Sequence, residues 1–288
     1  MDSLIIIVTG SLVAICCGLL GSFLILRKMA MVSDAISHAV LPGIVIAYMV
    51  MGADQTIWML IGAGLVGMVT TFLIEFFHQK GKLQTDASIG VTFTWLFSLG
   101  VILVSFYAGD AHIDQDCVLY GEIAYVPLDL IITDSGQVIG PRALVVLSVV
   151  LILVLIFLIT GYKELYITTF DPAYASSNGY SATLWHYLLM SMVSLVTVAA
   201  FESVGAILVV AFLIVPAATA YLLTGSLKVM LLLSSVIGIV ISILGYIVAY
   251  NIDGSIAGAM ATVAGGIFGI VFLLKLKKSK TRPLPSAP

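Results

Sequence analysis

Hydrophobic stretches of about 20 residues recur along the whole chain and constrain its fold more than any other feature. A helix that crosses the hydrocarbon core of a bilayer needs roughly 20 apolar residues. Of the 288 residues, 61% are hydrophobic and only 9% are charged, whereas soluble domains carry about 25% charged residues. The chain therefore has too little polar surface to face water on all sides. These features predict an all-α, polytopic membrane protein.

Nine runs have the length and hydrophobicity of membrane spans. The sixth and seventh are the least clearly separated, because only residues 201–203, including Glu202, lie between them, and Pro216 interrupts the seventh. Eight full spans with one short or re-entrant segment are therefore an alternative. No polar segment is long enough to bury its own core, so we predict one transmembrane domain over residues 1–276 and a basic, Pro-rich tail over residues 277–288. The nine runs cover residues 4–26, 35–52, 57–77, 88–108, 143–161, 184–200, 204–223, 229–250 and 256–274.

The distribution of basic residues predicts the orientation. Lys and Arg in short loops stay on the cytoplasmic side of a membrane. If the amino terminus lies outside, only Arg142 of the 12 basic residues falls outside, and the carboxyl terminus is cytoplasmic. The residues that then fall inside are Arg27, Lys28, Lys80, Lys82, Lys163, Lys228, Lys275, Lys277, Lys278, Lys280 and Arg282.

Charge and motif content exclude two function classes. Twelve basic residues stand against 15 acidic ones, without a basic and aromatic patch, so nucleic acid is excluded as a partner. The chain has no G-x-x-x-x-G-K-[ST] phosphate loop, because the Gly81-Lys82 pair lacks the earlier glycine and the following hydroxyl. We expect no enzymatic activity and no tightly bound cofactor. If ATP hydrolysis drives the activity of this protein, a partner protein carries out the hydrolysis.

Asp34 and His38, at the start of the second run, form the best candidate metal site. They are four residues apart, so their side chains stack on one helical face with Cβ atoms about 5–6 Å apart. Ionisable residues in a span are functional candidates, because burying a charge in hydrocarbon is costly. A carboxylate and an imidazole suit Mn²⁺, Fe²⁺ or Zn²⁺ better than Na⁺ or K⁺. Two ligands cannot hold a metal alone, but two copies with this helix at their axis would supply four.

Other interpretations of the polar residues stay open at this point. Asp34 could merely cap the second span beside Arg27 and Lys28, while His38 bonds a neighbouring helix. Glu202 is more typical of an interfacial carboxylate than of a ligand. A weaker candidate is an acidic outer rim that could raise the local cation concentration, although a solvated charged loop has the same pattern. The rim consists of Asp110, His112, Asp114 and Asp116.

The longest inner loop, residues 162–183, contains a predicted miniature helix with a signal at each end. Asp171 can cap its amino end, Pro172 suits its first position, and Gly179 can adopt the left-handed conformation after its carboxyl end. An isolated helix of about two turns is marginal in water. It should therefore pack either on the chain's own inner face or in a groove of a cytoplasmic ATPase. This coupling loop includes Asp171, Pro172, Ala173, Tyr174, Ala175 and Gly179.

Four segments together resemble the integral-membrane permeases of bacterial manganese, zinc and iron ATP-binding-cassette importers. They are LRKMAMVSDAISHAVLPGI (residues 26–44), DQDCVLYGEI (114–123), FDPAYASSNG (170–179) and VGAILVVAFLIVPAATA (204–220). The first and last are specific, whereas DPxxAxxxG alone is a weak motif. The resemblance spans nearly the whole chain, and DQDCVLYGEI looks closest to the manganese-type members.

The resemblance implies a homodimeric permease in the lipid of the bacterial plasma membrane, working with two cytoplasmic ATPases and an extracytoplasmic metal-binding protein. It also implies that Asp34 and His38 form the metal site and that residues 171–179 contact the ATPase. The expected substrate is Mn²⁺, with Zn²⁺ or Fe²⁺ as alternatives. A secondary transporter and a membrane scaffold are the competing classes. A secondary transporter should have repeated halves and a mid-span coupling carboxylate, but we find no clear repeat, and Glu75 is the nearest such acid.

Overall fold

The computed structural model describes residues 2–51, 56–107, 123–132 and 138–280, and these residues are almost entirely helical. The all-α prediction is confirmed, with one small addition. Strands β1 (Leu130–Ile132) and β2 (Val138–Pro141) pair as an antiparallel hairpin, with Ile131 opposite Gly140. The helices are α1 (Asp2–Leu26), α2 (Val32–Ala39), α3 (Leu41–Met51), α4 (Thr56–Gln79), α5 (Thr85–Tyr107), α6 (Arg142–Thr160), α7 (Tyr162–Phe170), α8 (Pro172–Ser177), α9 (Ala182–Val204), α10 (Ala206–Leu223), α11 (Leu227–Ile252) and α12 (Ile256–Lys280).

Within these described ranges, nine helical segments are long and apolar enough to cross a membrane. This confirms the predicted number of nine spans. The predicted boundary between the sixth and seventh is wrong, because the sixth does not end at residue 200. Helix α9 continues through Glu202 to Val204, and Gly205 alone joins it to α10. Gly205 has a φ of 79°, which glycine adopts without strain. Pro216 lies inside α10 and does not end it.

Helix α1 packs at the centre of one group of helices. It contacts α10 and α11, and α12 packs against both of these. Helices α1 and α10 approach so closely that a Cβ atom at Gly21 would lie 1.9 Å from the carbonyl oxygen of Leu213. Small residues allow such close backbone approach between membrane helices. Gly21 therefore fixes the distance between α1 and α10.

Helices α2 to α5 form a second group. Both α2 and α3 pack against α4 and α5. A Cβ atom at Gly43 of α3 would lie 2.4 Å from the carbonyl oxygen of Gly62 in α4, so these backbones also touch. Helix α9 joins the two groups, because it contacts α1, α2 and α4. Its position determines how the second span sits relative to α1.

The second span is broken at Val40, where α2 ends and α3 begins. Pro42 has no N–H, and its ring disfavours a regular helix around the carbonyl four residues earlier, which is that of His38. Six of the eight residues of α2 are buried. The two that stay partly exposed are Asp34 and His38.

The last helix, α12, runs past the predicted domain boundary at residue 276 and ends at Lys280. The first residues of the predicted tail thus continue the helix. Residues 281–288 lie outside the described ranges, so a separate tail stays a prediction.

Candidate functional site

Asp34 and His38 lie on the same side of α2, as their spacing predicts. Oδ1 of Asp34 is 3.6 Å from Nε2 of His38, and the two side chains are 42% and 27% exposed. Every other residue of α2 is buried against neighbouring helices. The short helix therefore turns this pair, and nothing else, away from the packed interior.

Two phenylalanines of α5 flank the His38 ring. The ring centroids of Phe93 and Phe97 lie 5.4 Å and 6.0 Å from that of His38. In the described part of the chain, His38 makes no hydrogen bond to a neighbouring helix. Asp34 does not cap α2 either, since the residue before the helix is Met31 and Asp34 stands in the first turn. The described residues therefore show neither a helix cap by Asp34 nor a hydrogen bond from His38 to another helix.

A cavity of about 370 Å³ lies beside Asp34, between α2 and α5. A divalent cation with six water molecules of about 30 Å³ each would fill roughly half of it. Asp86, in the first turn of α5, lines the same cavity. Sequence analysis missed Asp86, because an acid in the first turn of a span is typical of an ordinary helix start. The lining residues are Met31, Asp34, Ala35, Asp86, Ile89, Gly90 and Phe93.

The Asp34–His38 pair offers one carboxylate oxygen donor and one imidazole nitrogen donor, 3.6 Å apart. Over the ranges that the structure describes, no three His, Cys, Asp or Glu side chains come together as a metal site. The sequence places no cysteine next to the pair, and a thiolate would favour Zn²⁺ or Cu⁺. One oxygen and one nitrogen leave coordination positions for water or for a second pair. Two such pairs brought together would offer four ligands to one divalent cation.

A buried polar cluster lies where α1 ends. Nε2 of His186 is 3.0 Å from Oε2 of Glu75, and these side chains are 14% and 10% exposed. Arg27, just after α1, places Nη1 3.3 Å from Nδ1 of His186. Gln79 donates to the other carboxylate oxygen of Glu75. Arg27 and His186 are 159 residues apart in the chain, so no local pattern in the sequence predicts their contact.

Hydrogen-bond chemistry determines which groups donate and which accept in this cluster. A guanidinium group only donates, so Nδ1 of His186 accepts from Arg27, and the opposite ring nitrogen donates to Glu75. The His186 ring therefore bridges the guanidinium of Arg27 and the carboxylate of Glu75. Burial lowers the pKa of Arg27 to about 10, an effect that the Glu75 charge partly offsets. Arg27 thus stays charged at neutral pH.

The predicted miniature helix is α8, and both of its predicted ends are confirmed. The backbone N–H of Tyr174 donates to Oδ1 of Asp171 over 2.9 Å, and Pro172 is the first residue of the helix. Gly179 has a φ of 82°, in the left-handed region that favours glycine. Ala175 is fully buried, whereas Tyr174 is 55% exposed. Helix α8 therefore packs one face on its own chain and exposes the other.

The opposite end of α9 lines a second cavity of about 220 Å³. Glu202, in the last turn of α9, lines it together with Asp129 and Arg142. Along α9, Glu202 lies about 24 Å from His186 at the usual helical rise, so this cavity and the buried cluster occupy opposite ends of the bundle. The predicted outer rim of Asp110, His112, Asp114 and Asp116 lies outside the described residues.

The chain is similar to known bacterial permeases over nearly its whole length. The sequence model of the ABC 3 transport family matches residues 4–275. Over 268 residues the chain is 50% identical to the manganese transport system membrane protein MntD of Bacillus subtilis, covering 93% of this chain and 90% of that protein. It is 44% identical to the zinc transport system membrane protein TroD of Treponema pallidum, covering 96% of this chain and 75% of that protein. Among solved structures, PsaBC from Streptococcus pneumoniae in complex with Fab matches with a TM-score of 0.75 and 34% identity, covering 93% of this chain and 89% of that chain.

Proposed function

The chain belongs to the ABC 3 transport family, and we propose that it is the membrane permease of an ATP-driven importer for Mn²⁺. The family resemblance in the sequence is thereby confirmed, as is the transport class. Because this is a family of transport proteins, membership argues against a membrane scaffold without transport. Zn²⁺ and Fe²⁺ are the alternative substrates, and the similarity to the zinc transport protein TroD supports keeping Zn²⁺ in every assay.

One observation carries the proposal. Asp34 lines a cavity large enough for a hydrated cation, and His38 lies 3.6 Å from its carboxylate. Both residues project from a short helix whose other residues are all buried. An oxygen donor beside a borderline nitrogen donor suits Mn²⁺ or Fe²⁺. The similarity to MntD, which is named for manganese, supports Mn²⁺ among these.

The proposed assembly contains two copies of this chain, two ATPases and an extracytoplasmic metal-binding protein. Two copies would bring two Asp34–His38 pairs to one axis and so provide four ligands. Energy would come from ATP hydrolysed by the partner ATPase. The exposed face of α8, with Tyr174 at its centre, is the proposed contact with that ATPase.

Uptake into vesicles tests the proposed function directly. We expect the reconstituted complex of permease, ATPase and metal-loaded binding protein to accumulate Mn²⁺ only when ATP is supplied on the ATPase side. A tenfold excess of Zn²⁺ or Fe²⁺, each loaded on the binding protein, measures the preference. Uptake driven by a proton or sodium gradient without ATP would contradict the proposal, as would accumulation of none of the three metals.

The proposed orientation places the amino terminus outside and the carboxyl terminus in the cytoplasm, because 11 of the 12 basic residues then lie inside. We expect Cys117 to react with a membrane-impermeant maleimide added to intact cells. Cys16 and Cys17 are fully buried in α1 and should stay unlabelled. A Lys278→Cys variant that also lacks Cys117 should react only after the cells are permeabilised. The reverse labelling pattern would invert the assignment of both ends.

A further inference from the structure

The guanidinium of Arg27 connects helices that are far apart in sequence. On one side, its Nε donates to Oγ1 of Thr169 over 3.1 Å, and its Nη2 donates to Oγ1 of Thr168 over 3.2 Å. Both threonines belong to α7. On the other side, its Nη1 donates to His186 of α9, whose ring donates to Glu75 of α4. Thr168 is only 5% exposed, so water does not readily replace the hydrogen bond that it accepts from Arg27.

The α7 side of this contact leads directly to the exposed helix α8. Helix α7 ends at Phe170, and α8 begins at Pro172, with Asp171 as the only residue between them. The two helices also pack against each other. A displacement of α8 therefore moves α7 and the two threonines that Arg27 holds.

The other side of the contact leads to the helix that carries the metal pair. Both α4 and α9 pack against α2. A Cβ atom at Gly67 of α4 would lie 2.1 Å from Oγ of Ser194 in α9 and 3.4 Å from Cγ2 of Ile36 in α2, so the three helices meet at one point. Close-packed interiors transmit strain rather than absorb it. A shift of α4 or α9 is therefore transmitted to α2.

We propose that Arg27 couples α8 to the metal-binding helix α2, by joining the threonines of α7 to the His186–Glu75 pair. This inference rests on the proposed function, because it takes α8 as the contact with the ATPase. When the ATPase displaces α8, α7 carries the guanidinium with it. The His186–Glu75 pair then passes the displacement to α9 and α4, which hold α2.

Arg27 is a positioning residue, since it contacts neither the metal pair nor a nucleotide. Its planar fork can donate to α7 and to His186 at the same time, whereas the single ammonium of a lysine cannot match this geometry. The guanidinium is also half-buried between charged and hydroxyl partners. The connection through Arg27 thus consists of specific, partly buried hydrogen bonds. A surface ion pair, by contrast, contributes little to stability.

The number of Mn²⁺ ions transported per ATP hydrolysed by the complete complex in vesicles tests this proposal. The double variant Thr168→Val/Thr169→Val removes only the α7 side and leaves Arg27 against His186. We expect the ratio to fall on the order of tenfold, a usual size for coupling between two sites, while the ATPase stays bound. Arg27→Gln should lower the ratio at least as much.

Two variants serve as matched controls. Thr160→Val removes a hydroxyl that bonds only carbonyls of its own helix, those of Ile156 and Phe157. Lys28→Gln removes the neighbouring, exposed cation. Both should keep the wild-type ratio. If Arg27→Gln fails to assemble, the threonine variant decides alone.

The outcomes separate this inference from the proposed function. A purely structural role would reduce the amount of complex but leave the ratio of Mn²⁺ to ATP unchanged. A threonine double variant with the same ratio as Thr160→Val would therefore overturn the coupling role. If the wild-type vesicles transport no metal at all, it is the proposed function that fails.

Discussion

Replacing Asp34 or His38 with alanine is expected to abolish Mn²⁺ uptake while the protein still reaches the membrane and binds the ATPase. Each substitution removes one of the two ligands that we propose each chain contributes. Loss of a residue that merely supports a ligand already costs roughly 10- to 100-fold in metal affinity, so we expect at least about a 100-fold loss of uptake here. Vesicles that contain the reconstituted variants and radioactive Mn²⁺ provide the measurement.

The remaining histidines and acids offer controls for this experiment. His78 is exposed, and its ring bonds the backbone carbonyl of Leu83, so His78→Ala should transport normally. Asp253→Asn changes an exposed acid at the carboxyl end of α11 and should do the same. Wild-type uptake by the double variant Asp34→Ala/His38→Ala would show that the pair is no metal site.

The same site predicts how its metal preference can be changed. His38→Cys replaces a borderline nitrogen by a thiolate, which favours Zn²⁺. We expect Zn²⁺ to compete with Mn²⁺ more strongly in this variant than in the wild type, in vesicles assayed side by side. An unchanged preference would place the selective step elsewhere, in the binding protein or another part of the pathway.

Changing the exposed face of α8 is expected to separate ATP hydrolysis from transport. Tyr174 is 55% exposed, and loss of an aromatic anchor at an interface commonly costs about 2 kcal/mol or more, which is roughly 30-fold in affinity. We expect Tyr174→Asp to prevent the metal-loaded binding protein from stimulating the ATPase. Gly179→Val should act similarly, because a β-branched residue is strained at its φ of 82°.

The control for this second prediction introduces the same charge at the other end of the bundle. Tyr250 is 78% exposed near the carboxyl end of α11, so Tyr250→Asp should leave stimulation of the ATPase intact. Co-purification of ATPase and permease shows whether the complex still forms. If stimulation is unchanged in Tyr174→Asp and in Gly179→Val, α8 is not the ATPase contact but only a helix that packs on its own chain.

Local spacing in the sequence determined much of what the structure contains. Runs of about 20 apolar residues specify spanning helices wherever they occur, because backbone groups in hydrocarbon must be satisfied within the helix. The shared face of Asp34 and His38 follows from a separation of four residues. The ends of α8 follow from Asp171, Pro172 and Gly179, whose effects act within one turn. Each of these features depends only on residues that are neighbours in the chain.

Packing between distant segments decided the rest. The sequence alone suggested a break at Glu202, but the polar residue is accommodated in the last turn of α9, beside a cavity that Asp129 and Arg142 also line. Asp86 joins Asp34 only because α5 packs against α2. Arg27 reaches Thr168, Thr169 and His186 across 141 to 159 residues of chain. Such contacts depend on how helices are arranged in space, which the periodicity of a single helix does not specify.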